Sequence, residues 1–144
     1  MTLQELGDTL ANHALESLVR AEASVRRRLS ADLEREGLSG SGFSVLMVLS
    51  MAGGELELRD LRARLRTSKA NATEVVTTLE TRDMVQRFRL PHDRRAASVR
   101  LTTKGREVID RLHPEHTRRV QDAFAVLDEA EKRALADICR KLAV

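Results

Sequence analysis

The sequence predicts a mainly α-helical chain in which a helix-turn-helix and one β-hairpin lie between long helices at the two ends. Three observations predict it. Apolar residues recur at steps of three and four over most of the 144 residues. Two short helical stretches meet at a tight Thr-Ser turn at residues 67 and 68. Residues 84–101 alternate apolar and polar positions on both sides of Pro91, as two strands do. With 42% hydrophobic and 33% charged residues, seven glycines and two prolines, the composition suits one compact domain rather than a disordered chain.

Taken in order, Leu3, Leu6, Leu10, Ala14, Leu18, Ala21, Val25, Leu29 and Leu33 mark one amphipathic helix that should stop at Gly37. Its roughly 45 Å length is more than a small domain needs to cover its own core, so a second copy of the chain is the expected partner of the stripe. Ser41 is the expected cap of a second helix, with Val45, Leu46, Val48 and Leu49 apolar and Gly53 and Gly54 at its end. Glu55 to Glu57 is too short for more than a single ladder rung. Arg59 to Arg66 reads as a third helix with Leu58, Leu61 and Leu65 inward. Thr67 or Ser68 then caps a fourth, Lys69 to Arg82, which buries Ala72, Val75, Val76 and Leu79.

The hairpin follows, MVQRFRL and SVRL around the polar, Arg-rich tip PHDRRA. Thr102 is placed to cap a helix carrying Val108, Ile109, Leu112, Val120, Phe124 and Leu127, in which Pro114 predicts a kink near His113 or a short break. Asp128 and Glu131 form an acidic variant of the capping box. They open a last helix with Leu135, Ile138, Cys139 and Leu142 on one face.

Several function classes are excluded by what the chain lacks. No apolar run approaches the ~18 residues of a membrane span, and MTLQELGDTL does not read as a signal peptide. Cys139 is the only cysteine, so there is no intrachain disulfide, and a reducing cytoplasm is the expected home. No Gly-rich phosphate loop, G-x-S-x-G or H-E-x-x-H occurs, so no enzyme is expected. No cofactor is expected either. Three phenylalanines, Phe43, Phe88 and Phe124, are the only aromatics, too few for a single-strand stacking platform and better used in packing. His113 and His116, with His13, Glu115 or Cys139 as distant partners, leave a zinc-type sensor of the same fold as the alternative reading. Pro114 disturbs the register of that pair, and no metal site is assigned.

Charge is segregated. Residues 59–106 hold 13 Lys and Arg against 5 Asp and Glu, a net +8; the rest of the chain is −5, and the whole is only +3. That distribution suits a phosphate-binding module on a neutralising scaffold. On the fourth helix, the face opposite the apolar one presents Lys69, Asn71, Thr73, Glu74, Thr77 and Thr78. In a major groove Asn71 could pair with adenine and Glu74 accept from cytosine, while Thr73 and Thr77 could meet thymine methyls or phosphates. Ser68 and the free N–H groups at the helix start suit a phosphate. At the hairpin tip, Arg94 is the expected insertion into a narrow minor groove, where the negative potential of two backbones concentrates. Arg87, Arg89, Arg100 and Lys104 read equally as phosphate contacts or solvated charge.

The stretch Leu79 to Gly105, LETRDMVQRFRLPHDRRAASVRLTTKG, resembles the wing signature of the MarR family of bacterial transcription regulators in its LE, MV-x-R, DRR and LTxKG elements. The resemblance covers essentially the whole chain. Glu74 stands where a basic residue is common, and Asp83 replaces the usual glycine after the helix, which Asp tolerates because it enters the left-handed conformation readily. The resemblance implies a winged helix-turn-helix with a two-stranded wing over residues 38–102, and dimerisation helices over 1–36 and 103–144. It implies a homodimer that binds a pseudo-palindromic operator in double-stranded DNA and typically represses, with Asp93 and Arg95 pairing to shape the turn. It further implies a small aromatic or anionic ligand between the dimerising helices and the DNA-binding lobe, with His13, Ser17, Arg20 and Phe43 as candidate contacts. The absence of a cysteine near the N-terminus disfavours the family's peroxide-sensing branch.

Overall fold

The computed structural model describes residues 7–143, with Arg94 described by its backbone alone. Six helices and three strands follow in the order α1 (Thr9–Arg35), α2 (Gly40–Met51), β1 (Glu55–Glu57), α3 (Leu58–Leu65), α4 (Lys69–Thr81), β2 (Val85–Leu90), β3 (Asp93–Leu101), α5 (Thr103–Phe124) and α6 (Glu129–Leu142). The chain forms two compact units, one of residues 30–117 and one of residues up to 29 together with those from 118 onward. No helix among the described residues is long and apolar enough to cross a membrane.

The larger unit holds a core of Leu46 and Leu49 from α2, Leu61 from α3, Val76 and Leu79 from α4, Val85 and Val99 from the sheet and Ile109 from α5. These are the apolar positions that recur at helical or alternating spacing, and nearly all are fully buried. Each element ends on recognisable chemistry. Asp8 caps α1 by accepting the Ala11 N–H. At its other end Gly37 takes φ +70°, and Leu38 N–H bonds the Leu33 carbonyl while Gly37 N–H bonds that of Glu34. The same two-bond closure ends α4, with Asp83 in the left-handed role at φ +61°. The capping box Asp128–Glu131 opens α6, with both reciprocal bonds in place.

Three expectations are corrected. Ser39, not Ser41, caps α2: its hydroxyl accepts the Gly42 N–H at 3.0 Å, and the helix begins one residue later. The tripeptide Glu55–Glu57 pairs with β3 at all three positions, Glu55 with Arg100, Leu56 with Val99 and Glu57 with Ser98. The hairpin therefore extends into a three-stranded antiparallel sheet ordered β1-β3-β2. Of the kink or short break expected at Pro114, the break does not occur, since Pro114 lies inside α5. One missing ladder bond is tolerated where Val108, Ile109 and Leu112, in the turns before it, are buried in the core.

The turn between α3 and α4 carries local strain. Arg66, exposed and without a glycine's freedom, sits at φ +52° to close α3, where a side chain costs about 1 to 2 kcal/mol. Arg66→Gly is expected to raise the unfolding free energy by about 0.5 to 1 kcal/mol, since relief of that strain outweighs the greater entropy of an unfolded glycine. Urea denaturation measures it. A loss of stability would mean that the Arg66 side chain makes contacts worth more than the strain.

Candidate nucleic-acid interface

The interface is built outward from α4. Ser68 stands in extended conformation before it and accepts the Asn71 N–H at 3.1 Å, so the helix start is fixed and the Lys69 and Ala70 N–H groups point out of it uncapped. Ala72, Val76 and Leu79 are buried beneath, which leaves Lys69, Asn71, Glu74, Thr77 and Thr78 on the exposed side and Thr73 at its margin. The six polar residues singled out in the sequence thus share one face. Asn71 donates through Nδ2 to Thr67 Oγ1 at 2.7 Å. That leaves its carbonyl oxygen and second N–H for the bidentate pairing adenine requires.

The wing is tied to this helix by Arg87. Glu80, on the last turn of α4, accepts the Arg87 backbone N–H at 3.0 Å and its guanidinium at 3.2 Å. The same guanidinium donates to Thr77 Oγ1 at 3.0 Å. The Arg87 backbone N–H, its guanidinium and its charge hold the Glu80 carboxyl below the usual carboxylate range, against the opposing effect of burial. The sequence left Arg87 open between a phosphate contact and solvated charge; the structure places it in a clamp joining strand to helix. Lys104 is likewise decided, since its ammonium donates to the Arg82 carbonyl at 2.8 Å, at the C-terminal end of α4 where cations are favoured. Arg100 lies over the Phe88 ring, 4.0 Å from its centre, and 3.8 Å from Glu55, which ties the three strands together.

At the tip a two-residue turn, Pro91 and His92, joins Leu90 to its partner Asp93, with a register shift beside Arg89. Asp93 shapes the turn by accepting the Arg95 backbone N–H at 2.9 Å, so its partner is the main chain of Arg95. Arg94 is the second residue of β3, at the end of the hairpin farthest from α5.

Between α3, α4 and the wing lies a cleft of about 730 Å³, lined by Arg59, Arg62, Lys69, Arg87, Arg89 and Arg95 with the carboxylates Glu57 and Asp93; Arg87 is held by Glu80 and Arg59 meets Glu57 at 3.3 Å, and cations still outnumber carboxylates. Such an excess of guanidinium groups in a concave surface favours a polyanion. Arg59, Arg62 and His92 were missed in the sequence. The signal for the first two was present, because Arg59 and Arg62 recur at helical spacing along the flank of α3 beside Leu58, Leu61 and Leu65. Arg62 Nε is buried and has no hydrogen-bond partner among the described residues.

The other candidates are placed as follows. Phe43 is buried in the core with the His116 ring at 4.3 Å. Burial, and secondarily the neighbouring His113, hold the His116 imidazole below its ordinary pKa. His13, Ser17 and Arg20 are exposed on α1, where Arg20 meets Glu16 at 3.7 Å. Among the described residues no three His, Cys, Asp or Glu groups come together to hold a metal, and His113 faces the Thr117 hydroxyl at 3.4 Å.

A helix offering polar side chains and free N–H groups, a hairpin arm clamped to it and a basic cleft between them define a winged helix-turn-helix DNA-binding protein. The model of the MarR family matches residues 38–97. The HTH-type transcriptional regulator YkoM of Bacillus subtilis (strain 168) is 30% identical over 87% of this chain and 80% of its own length. The MarR-family regulator Sco3205 of Streptomyces coelicolor, solved in complex with DNA, is 25% identical with a TM-score of 0.81 over 92% of this chain and 84% of that one. The PcaV regulator of the same organism, solved with its natural ligand, is 26% identical with a TM-score of 0.76 over 94% and 92%. This chain belongs to the MarR family and is a DNA-binding transcriptional regulator, not an enzyme.

Proposed function

We propose that the chain acts as a homodimeric repressor that grips a pseudo-palindromic operator with two copies of α4 in successive major grooves and is released by a small ligand. The observation that carries the DNA reading is the basic cleft of about 730 Å³ between α4 and the wing. A phosphate backbone running through it would leave base edges to Asn71, Thr73, Glu74, Thr77 and Thr78. It would meet Ser68, Lys69, Arg89 and Arg95 on its way, with Arg59 and Arg62 behind it and Arg94 reaching the minor groove. Half-sites about 34 Å apart would bring two such lobes onto one side of the duplex.

Support for pairing comes from the ends of the chain. Not one residue of α6 is buried, yet its Leu135, Ile138 and Leu142 share a face, and Leu10, Leu15, Leu18 and Val19 of α1 are exposed as well. Apolar area of this extent is normally covered by a partner. Repression follows from occlusion, because a bound dimer covers promoter DNA. Release by a small aromatic or anionic molecule rests on the family and on the ligand complex of PcaV. Tryptic protection of the chain by candidate phenolic acids, with loss of DNA binding, tests that part.

The DNA reading is tested at the wing. Arg94→Ala is expected to weaken binding on all sequences and to reduce the slope of log affinity against log salt by about 0.9 for each phosphate that is no longer neutralised. Filter binding across a salt series measures it, and an unchanged slope and affinity would remove Arg94 from this role.

A further inference from the structure

Three threonines crowd the exposed side of α4, at 77, 78 and 81, with Thr73 at its margin, and the hydroxyl protons of those three are already spent. Thr77 donates to the Thr73 carbonyl at 2.8 Å, Thr78 to that of Glu74 at 3.1 Å and Thr81 to that of Thr77 at 2.9 Å. Thr77 is further committed, since its oxygen also accepts the Arg87 guanidinium at 3.0 Å, and Glu80 holds that guanidinium in place. A hydroxyl has one proton to give. Thr77 therefore cannot donate to a phosphate oxygen, nor to guanine O6 or N7, adenine N7 or thymine O4, without breaking its bond to the helix. Apart from one acceptor lone pair on that oxygen, its γ-methyl is the part of this exposed side chain that is left to meet a base, and the major groove offers one apolar partner, the C5-methyl of thymine.

The geometry points to Thr77 as a specificity residue that reads a thymine methyl group, with Arg87 and Glu80 as the positioning pair that keeps its hydroxyl turned away from the base. This inference rests on the DNA-reading function proposed above and narrows it, because it excludes a phosphate contact for Thr77 and places thymine opposite it in each half-site.

The test begins with double-stranded DNA selected from a randomised library by the full-length wild-type protein. Uracil, which pairs like thymine but lacks the methyl, is then placed at one thymine at a time in both half-sites. Affinities are measured for the wild type, Thr77→Ser and Thr77→Val. Removing one buried methyl is worth roughly fourfold in affinity, so one uracil position should weaken the wild type by about that factor per half-site. Thr77→Ser should lose a similar factor on thymine DNA and nothing further on DNA with uracil at that position. Thr77→Val, which keeps a methyl but discards the hydroxyl that Arg87 grips, should lose less than Thr77→Ser on thymine DNA and should still bind thymine DNA more tightly than uracil DNA. Equal losses for Thr77→Ser on thymine and uracil DNA, or a larger loss for Thr77→Val than for Thr77→Ser, overturn the inference while leaving DNA reading intact. A library selection that yields no preferred sequence overturns the proposed function, and this inference falls with it.

Discussion

Gly105→Ala is expected to lower the unfolding free energy by about 3 kcal/mol and the melting temperature by about 10 °C. A Cβ at this position would stand 2.0 Å from the carbonyl oxygen of Met84, a main-chain atom that cannot swing aside as a side chain would. The first turn of α5 would have to move off the end of α4. Three bonds depend on that approach: Thr102 Oγ1 donates to the Asp83 carbonyl, Thr102 N–H bonds the Met84 carbonyl at 3.1 Å, and Lys104 bonds that of Arg82. Glycine-to-alanine exchange within a helix ordinarily gains up to about 1 kcal/mol, too little to reverse the sign. Gly40→Ala supplies the control, because nothing lies within 4 Å of the position its Cβ would take. Calorimetry of both variants decides it; a Gly105→Ala protein as stable as the parent would show that the junction yields without cost. The same contact explains the LTxKG element, in which threonine, lysine and glycine each hold the C-terminal end of the reading helix.

The double substitution Ile138→Asp, Leu142→Asp is expected to abolish dimerisation at micromolar concentration and to reduce operator affinity by a hundredfold or more. In the single chain these side chains are 55% and 67% exposed, so two carboxylates there leave each subunit's own core untouched. In a two-fold interface the same patch faces itself, so two substitutions put four like charges into one apolar contact. Burying even one unpaired carboxylate costs several kcal/mol, which is more than a factor of a thousand in association. Each lobe would then bind one half-site alone, without the gain in effective concentration that linkage to its twin provides. Light scattering and gel-shift read the two consequences separately. A variant that stays dimeric would show that the α6 face is not the subunit contact, and a monomer with undiminished operator affinity would show that the pairing does not serve DNA binding.

What could be read from the chain alone followed the range of the interactions involved. The helices, the buried faces of α2 to α5, the Asp128–Glu131 box, the stop at Gly37 and the left-handed Asp83 were legible because each depends on residues within a few positions of one another. The exposed face of Lys69–Thr81 was legible for the same reason, since helical spacing alone separates Asn71 and Thr77 from Val76 and Leu79. The cap of α2 was not, because Ser39 and Ser41 both suit the role locally, and Ser39 rather than the expected Ser41 takes it where Gly42 and Phe43 are buried.

By itself the sequence determined a helical chain with a basic hairpin and a polar reading helix, and the periodicities and end signals that specify these are local. Tertiary structure decided which cations are spent and which remain. Arg87 met Glu80 and Thr77, Lys104 met the end of α4, Arg100 met Phe88 and Glu55, and Arg62 joined the cleft in which Arg59 faces Glu57. A guanidinium carries the same charge wherever it lies in a sequence; only the packing of distant elements brings it the carboxylate, carbonyl or ring that takes that charge out of play.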